Sequence, residues 1–128
     1  MSYTFDKIVN LSFDEAIDKT IDELKKEGFG ILTDIDVKDT IKKKLDVDFR
    51  PYRILGACNP PFAYKALLAE DKIGSMLPCN VIVQQREDGK VEISAIDPEA
   101  SMQAIENNNL FAIAKEVKEK LKKVINNI

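Results

Sequence analysis

The segment from Cys79 to Ile96 constrains the fold most, because two alternating strands are joined there by a short polar turn around residues 87–89. A two-residue turn would mix apolar and polar side chains on each face of the hairpin. A three-residue loop pairs Arg86 with Lys90, aligns the apolar positions on one face and puts Gly89 at the left-handed position that such a loop needs. We therefore predict an antiparallel hairpin with this register.

Apolar periodicity divides the rest of the chain into short strands and amphipathic helices. Ser12 followed by Glu15 forms a capping box that begins a helix, and Gly28 ends that helix. We predict further strands over residues 3–11, 29–36 and 52–58, and helices after residues 12, 36, 59, 97 and 109.

The same spacing predicts which side chains face the core. In the strand over 29–36 one parity of residues, Phe29, Ile31, Thr33 and Ile35, is expected to share a face and to alternate with the other parity, Gly30, Leu32, Asp34 and Asp36. The short helix after it is expected to turn three apolar residues inward, Val37, Ile41 and Leu45, with the lysine run 42–44 in water. Lys7 interrupts the apolar face of the first strand, and Glu23 is expected to face water.

A hairpin next to alternating strands predicts an α+β fold with two layers. Helices must lie on one face of a mostly antiparallel five-stranded sheet, because strands that are apolar on one side need a cover on that side only. At 128 residues the chain has the usual size of one domain, so we predict a single domain over residues 1–128.

Composition excludes several classes of function. A net charge of -3 and a pI near 5.1 argue against nucleic-acid binding, which needs a basic face. The absence of histidine excludes an imidazole base, a Ser-His-Asp triad and a histidine-ligated metal. No signal peptide and no apolar run of about 20 residues is evident, so we predict a cytoplasmic protein with no membrane partner and with reduced thiols. No cofactor is indicated.

The stretch from Tyr52 to Val81 holds the candidate site, because its two cysteines each directly precede an asparagine: Cys58, Asn59, Cys79 and Asn80. If the two flanking strands are parallel, the cysteines lie at opposite edges, roughly 20 Å apart. If the strands are antiparallel neighbours, both lie at one end, beside the N-terminus of the helix that Asn59 and Pro60 begin. A site exists only in the antiparallel arrangement.

Two interpretations of these residues stay open. Cys58 can be a reactive thiol favoured by the helix dipole, with Cys79 as its resolving partner and the asparagines as amide donors. Two thiols can also hold a soft metal, and two chains together supply the four thiols of a zinc site. The alternative is that both cysteines are small apolar core residues.

Four sets of residues carry a family resemblance: residues 27–30 with 33–37; Tyr52–Pro60 with Ala63; Gly74 with 77–81; and Gly89, Asp97 and Pro98. With these residues the chain resembles the domain of unknown function 302 family. The resemblance implies a β-α-β4-α order similar in outline to the TATA-binding-protein folds, antiparallel pairing of the third and fourth strands, and a homodimer. It implies no DNA binding and no reaction.

Two hypotheses about function follow. The first is a small cytoplasmic homodimer that binds a small-molecule ligand or a soft metal near Cys58, Asn59, Cys79 and Asn80, with thiol chemistry at the cysteines. The second is a non-catalytic structural or regulatory interaction module in which the cysteines only shape the core.

Overall fold

The computed structural model describes residues 2–128 and contains one five-stranded sheet. Its strands are β1 (Thr4–Val9), β2 (Gly30–Asp36), β3 (Tyr52–Cys58), β4 (Cys79–Gln85) and β5 (Val91–Ile96). They lie in the order β1-β5-β4-β3-β2, and every neighbouring pair is antiparallel. The predicted antiparallel sheet is confirmed.

The helices complete an α+β fold. They are α1 (Phe13–Lys26), α2 (Val37–Leu45), α3 (Pro60–Ala69), α4 (Pro98–Ser101) and α5 (Asn108–Asn126), with a 3-10 helix over Asp71–Met76 between α3 and β4. The long helices α1 and α5 contact each other and the sheet. Their apolar stripes and the facing strand residues form the main core, in which Leu24, Leu55 and Leu121 are fully buried.

The hairpin has the predicted register. Val83 lies opposite Ile93, and the Arg86 N–H donates to the Lys90 carbonyl oxygen at 2.7 Å. Gly89 has φ of 84°, the left-handed conformation that the three-residue loop requires.

The prediction of which β2 side chains share a face is wrong beyond Ile31. A β-bulge shifts the register between Ile31 and Thr33. Ile31 still packs on the core, but Thr33 and Ile35 turn to the other face, where Ile35 is 46% exposed. The extra residue, Leu32, is left largely exposed at the edge of the sheet.

Two charged residues of the core layer have partners that explain their positions. Lys7 passes along the apolar face of β1 and donates from Nζ to the carbonyl oxygens of Asn126 and Ile128, at 3.1 and 2.7 Å. Glu23 does not face water as predicted, because it is buried between Lys19 and Lys26, at 3.3 and 2.8 Å. The hydrogen bond from Lys26 holds the pKa of Glu23 below its usual value.

The apolar stripe of α2 is covered less than predicted. No residue of this helix is buried, and Leu45 is 70% exposed. Lys42 and Lys43 pair with aspartates at the helix surface, so the predicted solvated lysine face is confirmed. Asp36 caps the helix by accepting from the Asp39 N–H at 2.9 Å.

Candidate functional site

Both cysteines lie at one end of the sheet, since β3 and β4 are antiparallel neighbours. The residue opposite Cys79 is Ala57, so Cys58 is one position out of register with Cys79. Both cysteines are free thiols.

Asn59 begins α3 at the predicted N-cap position, but its side chain makes no capping hydrogen bond. Its Nδ2 instead donates to the Glu27 carbonyl oxygen at 3.0 Å. This bond ties the start of α3 to the turn that follows α1, where Gly28 has φ of 87°. Asn59 is consequently only 8% exposed.

A cavity of about 310 Å³ lies beside these residues, between the cysteine end of the sheet, α3, the 3-10 helix and α5. Cys58, Asn59 and Cys79 contribute to its wall together with apolar side chains. The lining contains no aspartate, glutamate, lysine or arginine. Three of the four predicted site residues therefore meet at one apolar cavity.

The fourth predicted residue, Asn80, is placed elsewhere. It lies opposite Gly56 in the β3–β4 ladder, is exposed and does not line the cavity. Because it directly follows Cys79 in a strand, its side chain points to the opposite face.

The Cys79 thiol is held in its uncharged form. Burial raises its pKa to about 11, and the neighbouring Cys58 thiol adds to the increase. At neutral pH Cys79 therefore presents an S–H group to the cavity and not a nucleophilic thiolate.

Sequence reasoning did not find most of the apolar wall: Phe29, Phe62, Ala66, Leu77, Met102 and Ala114. These residues come from distant segments, and no local pattern joins them. One signal of a second apolar surface was present in α3. Leu67 and Leu68 are adjacent and both apolar, and a helix with one buried side cannot bury both. Leu67 lines the cavity, whereas Leu68 is 71% exposed.

Residues 2–128 contain no evident metal site and no membrane-crossing helix. No group of three or more histidine, cysteine, aspartate or glutamate side chains is arranged to hold a metal ion. None of the helices in this range combines the length and the apolar character that crossing a membrane requires.

Comparison with known proteins gives a family and a fold. The family model described as domain of unknown function DUF302 matches residues 5–128. A crystal structure of an uncharacterized conserved DUF302 protein from Bacillus stearothermophilus superposes with a TM-score of 0.92 at 27% sequence identity, covering 99% of this chain and 98% of the other. The comparison with curated proteins found no match.

Proposed function

The chain belongs to the DUF302 family, and on the basis of its site we propose that it binds a small, uncharged, largely apolar molecule in the cavity beside Cys79. The observation that carries this proposal is a 310 Å³ space whose lining has no charged side chain. Ligand pockets of about 300–1,000 Å³ are mostly apolar, with a few placed polar groups. Asn59 and the two cysteines are those groups here.

The absence of charge in the wall limits the class of ligand. Transfer of an ionised group into apolar surroundings is very unfavourable unless a counter-charge or several hydrogen bonds compensate for the lost water. No counter-charge lines the cavity. A neutral molecule therefore fits this site, and a carboxylate or phosphate ester does not.

The thiols favour non-covalent binding over thiol chemistry. Cys79 stays protonated at neutral pH because burial raises its pKa to about 11. The two thiols are free and form no disulfide with each other. Among residues 2–128 no further histidine, cysteine, aspartate or glutamate side chain joins them in a group that could hold a metal ion.

Titration with N-phenyl-1-naphthylamine, a neutral apolar dye that fluoresces on binding, tests the proposal. Ala114 is buried in the cavity wall, so Ala114→Leu fills the space and is expected to weaken dye binding by at least about tenfold. Ala112, on the same helix, is exposed and outside the wall, so Ala112→Leu is the matched control and should bind as wild type does. Equal affinities of all three proteins would contradict the proposal.

The second candidate is the interaction module, and the sheet face away from α1 and α5 favours it. Ile35, Ile54 and Ile82 lie directly opposite one another and form an apolar row across three strands. We propose that a second copy of the chain covers this row, which agrees with the homodimer that the resemblance implies. Light scattering after size exclusion should give a dimer for wild type and a monomer for Ile54→Lys. A monomeric wild-type protein at micromolar concentration would overturn this.

A cytoplasmic location is part of the proposal. Its support is that Cys58 and Cys79 are both free although they lie at one end of the sheet. Fractionation of cells expressing the full chain tests it.

A further inference from the structure

The first turn of α3 contains an acceptor and a donor that do not bond to each other. In most capped helices the N-cap side-chain oxygen accepts from the N–H of the second or third helical residue. Here the Asn59 side chain is turned to the Glu27 carbonyl oxygen and makes no capping bond. Phe62, the third helical residue, has no backbone acceptor for its N–H among residues 2–128.

The Oδ1 atom of Asn59 is free to accept. It receives no hydrogen bond from the described part of the chain, where every fully buried side-chain nitrogen or oxygen has a partner. Oδ1 must therefore reach accessible space, although Asn59 as a whole is more than nine-tenths buried. Asn59 and Phe62 both line the cavity.

We infer that the ligand carries one neutral group that both donates and accepts, a hydroxyl or a primary amide, and that this group bridges Asn59 Oδ1 and the Phe62 N–H. The inference rests on the proposed function and deepens it by naming the polar part of the ligand. The bridging group completes the missing cap, and the apolar body of the ligand fills the remaining space.

An anionic head does not fit this position. A helix N-terminus usually binds anions through several free N–H groups. In α3 the first two residues are Pro60 and Pro61, which have no N–H, so Phe62 supplies the free donor of this turn. The adjacent Asn59 oxygen would repel a carboxylate. One donor and one acceptor in the same helical turn are complementary to a neutral hydroxyl or amide.

Benzyl alcohol, toluene and benzoate are the probes, because they share a ring and differ in the head group. In wild-type protein at pH 7, benzyl alcohol should shift the Phe62 amide proton and the Asn59 side-chain resonances in nitrogen–proton NMR spectra. Toluene should enter the cavity and shift its methyl groups without the hydrogen-bond shift at Phe62. Benzoate should bind at least about a hundredfold more weakly than benzyl alcohol.

Substitution of Asn59 distinguishes the contribution of the ligand's head group to affinity from that of its apolar body. Asn59→Leu should weaken the binding of benzyl alcohol about three- to tenfold, because one neutral hydrogen bond is lost. It should leave the affinity for toluene unchanged or higher. Asn80→Leu, an exposed asparagine outside the cavity, is the matched control and should change neither affinity.

The outcomes distinguish the inference from the proposed function. If toluene binds but benzyl alcohol leaves Phe62 unshifted, or if Asn59→Leu weakens both probes equally, the bridging head group is wrong and the apolar cavity stands. If neither probe nor the dye binds wild type, both are wrong. The wild-type spectra decide the matter even if Asn59→Leu does not fold.

Discussion

Cys79 lies opposite Ala57 in the β3–β4 ladder, one residue away from alignment with Cys58. Both thiols lie at one end of the sheet and line the same cavity. Cys79 becomes part of an apolar wall with its pKa raised to about 11. The two cysteine-asparagine pairs suggested thiol chemistry, but the surroundings of Cys79 favour non-covalent binding in a cavity.

Alkylation of Cys79 should be slow at neutral pH and should speed up as the pH approaches 11. The reason is that only the thiolate reacts, and burial disfavours it in the folded state. Folding stability should correspondingly fall as pH rises from about 9 toward 11, because the unfolded chain releases the proton first. Iodoacetamide rates on Cys58→Ser protein measure this. A rate at pH 7 equal to that of the urea-unfolded protein would rule it out.

Gly28→Ala should destabilise the protein by about 1–2 kcal/mol, because Gly28 has the left-handed φ of 87°. The added Cβ would also lie 3.1 Å from Asn59 Nδ2 and press on the bond to Glu27. Gly30→Ala is the matched control, since its Cβ meets nothing within 4 Å. Urea unfolding compares the two variants, and equal midpoints would contradict the argument.

Asp34→Asn should lower stability at pH 7 by less than about 1 kcal/mol, the usual range for a partly exposed ion pair. The Arg53 hydrogen bonds hold the pKa of Asp34 below its usual value. That contribution is present above pH ~4 and is lost as pH falls through the lowered pKa. The difference between wild type and variant should therefore disappear in acid. A difference that persists undiminished at pH 2, or an equal effect of the exposed control Asp71→Asn, would contradict it.

Leu67→Ala should weaken binding of N-phenyl-1-naphthylamine about three- to tenfold, because Leu67 lines the cavity. The neighbouring Leu68 is 71% exposed and outside the wall, so Leu68→Ala should bind within twofold of wild type. Fluorescence titration of both variants makes the comparison. A larger effect at Leu68 would place the dye on the outer surface of α3.

The elements with unambiguous local signals were predictable. Gly89 and the alternating strands define the hairpin, and their register is confirmed. The bulge in β2 was not predictable, because Ile31 and Leu32 are both apolar and the pattern allows either residue to face the core. The prediction that Glu23 faces water was wrong because Lys19 and Lys26, one helical turn to each side, pair with its carboxylate and allow it to be buried.

The position of the candidate site was partly predictable. Proline and asparagine beside each cysteine indicated where β3 ends and α3 begins, and antiparallel pairing brought the two segments together as required. The cavity itself depends on how α3, the 3-10 helix and α5 pack, and α3 is separated from α5 in the chain by β4, β5 and α4. A capping asparagine whose side chain turns to Glu27 cannot be distinguished by sequence from one that caps.

Methyl NMR with toluene is the sharpest test of ligand binding in the apolar cavity. Protein labelled at alanine methyl groups is titrated with toluene at pH 7. Toluene should shift the resonances of Ala57, Ala66 and Ala114, which line the cavity. It should not shift those of Ala112, which is exposed, or Ala16, which is buried in the core outside the cavity. Unchanged resonances at Ala57, Ala66 and Ala114 in the presence of saturating toluene would contradict the proposed cavity.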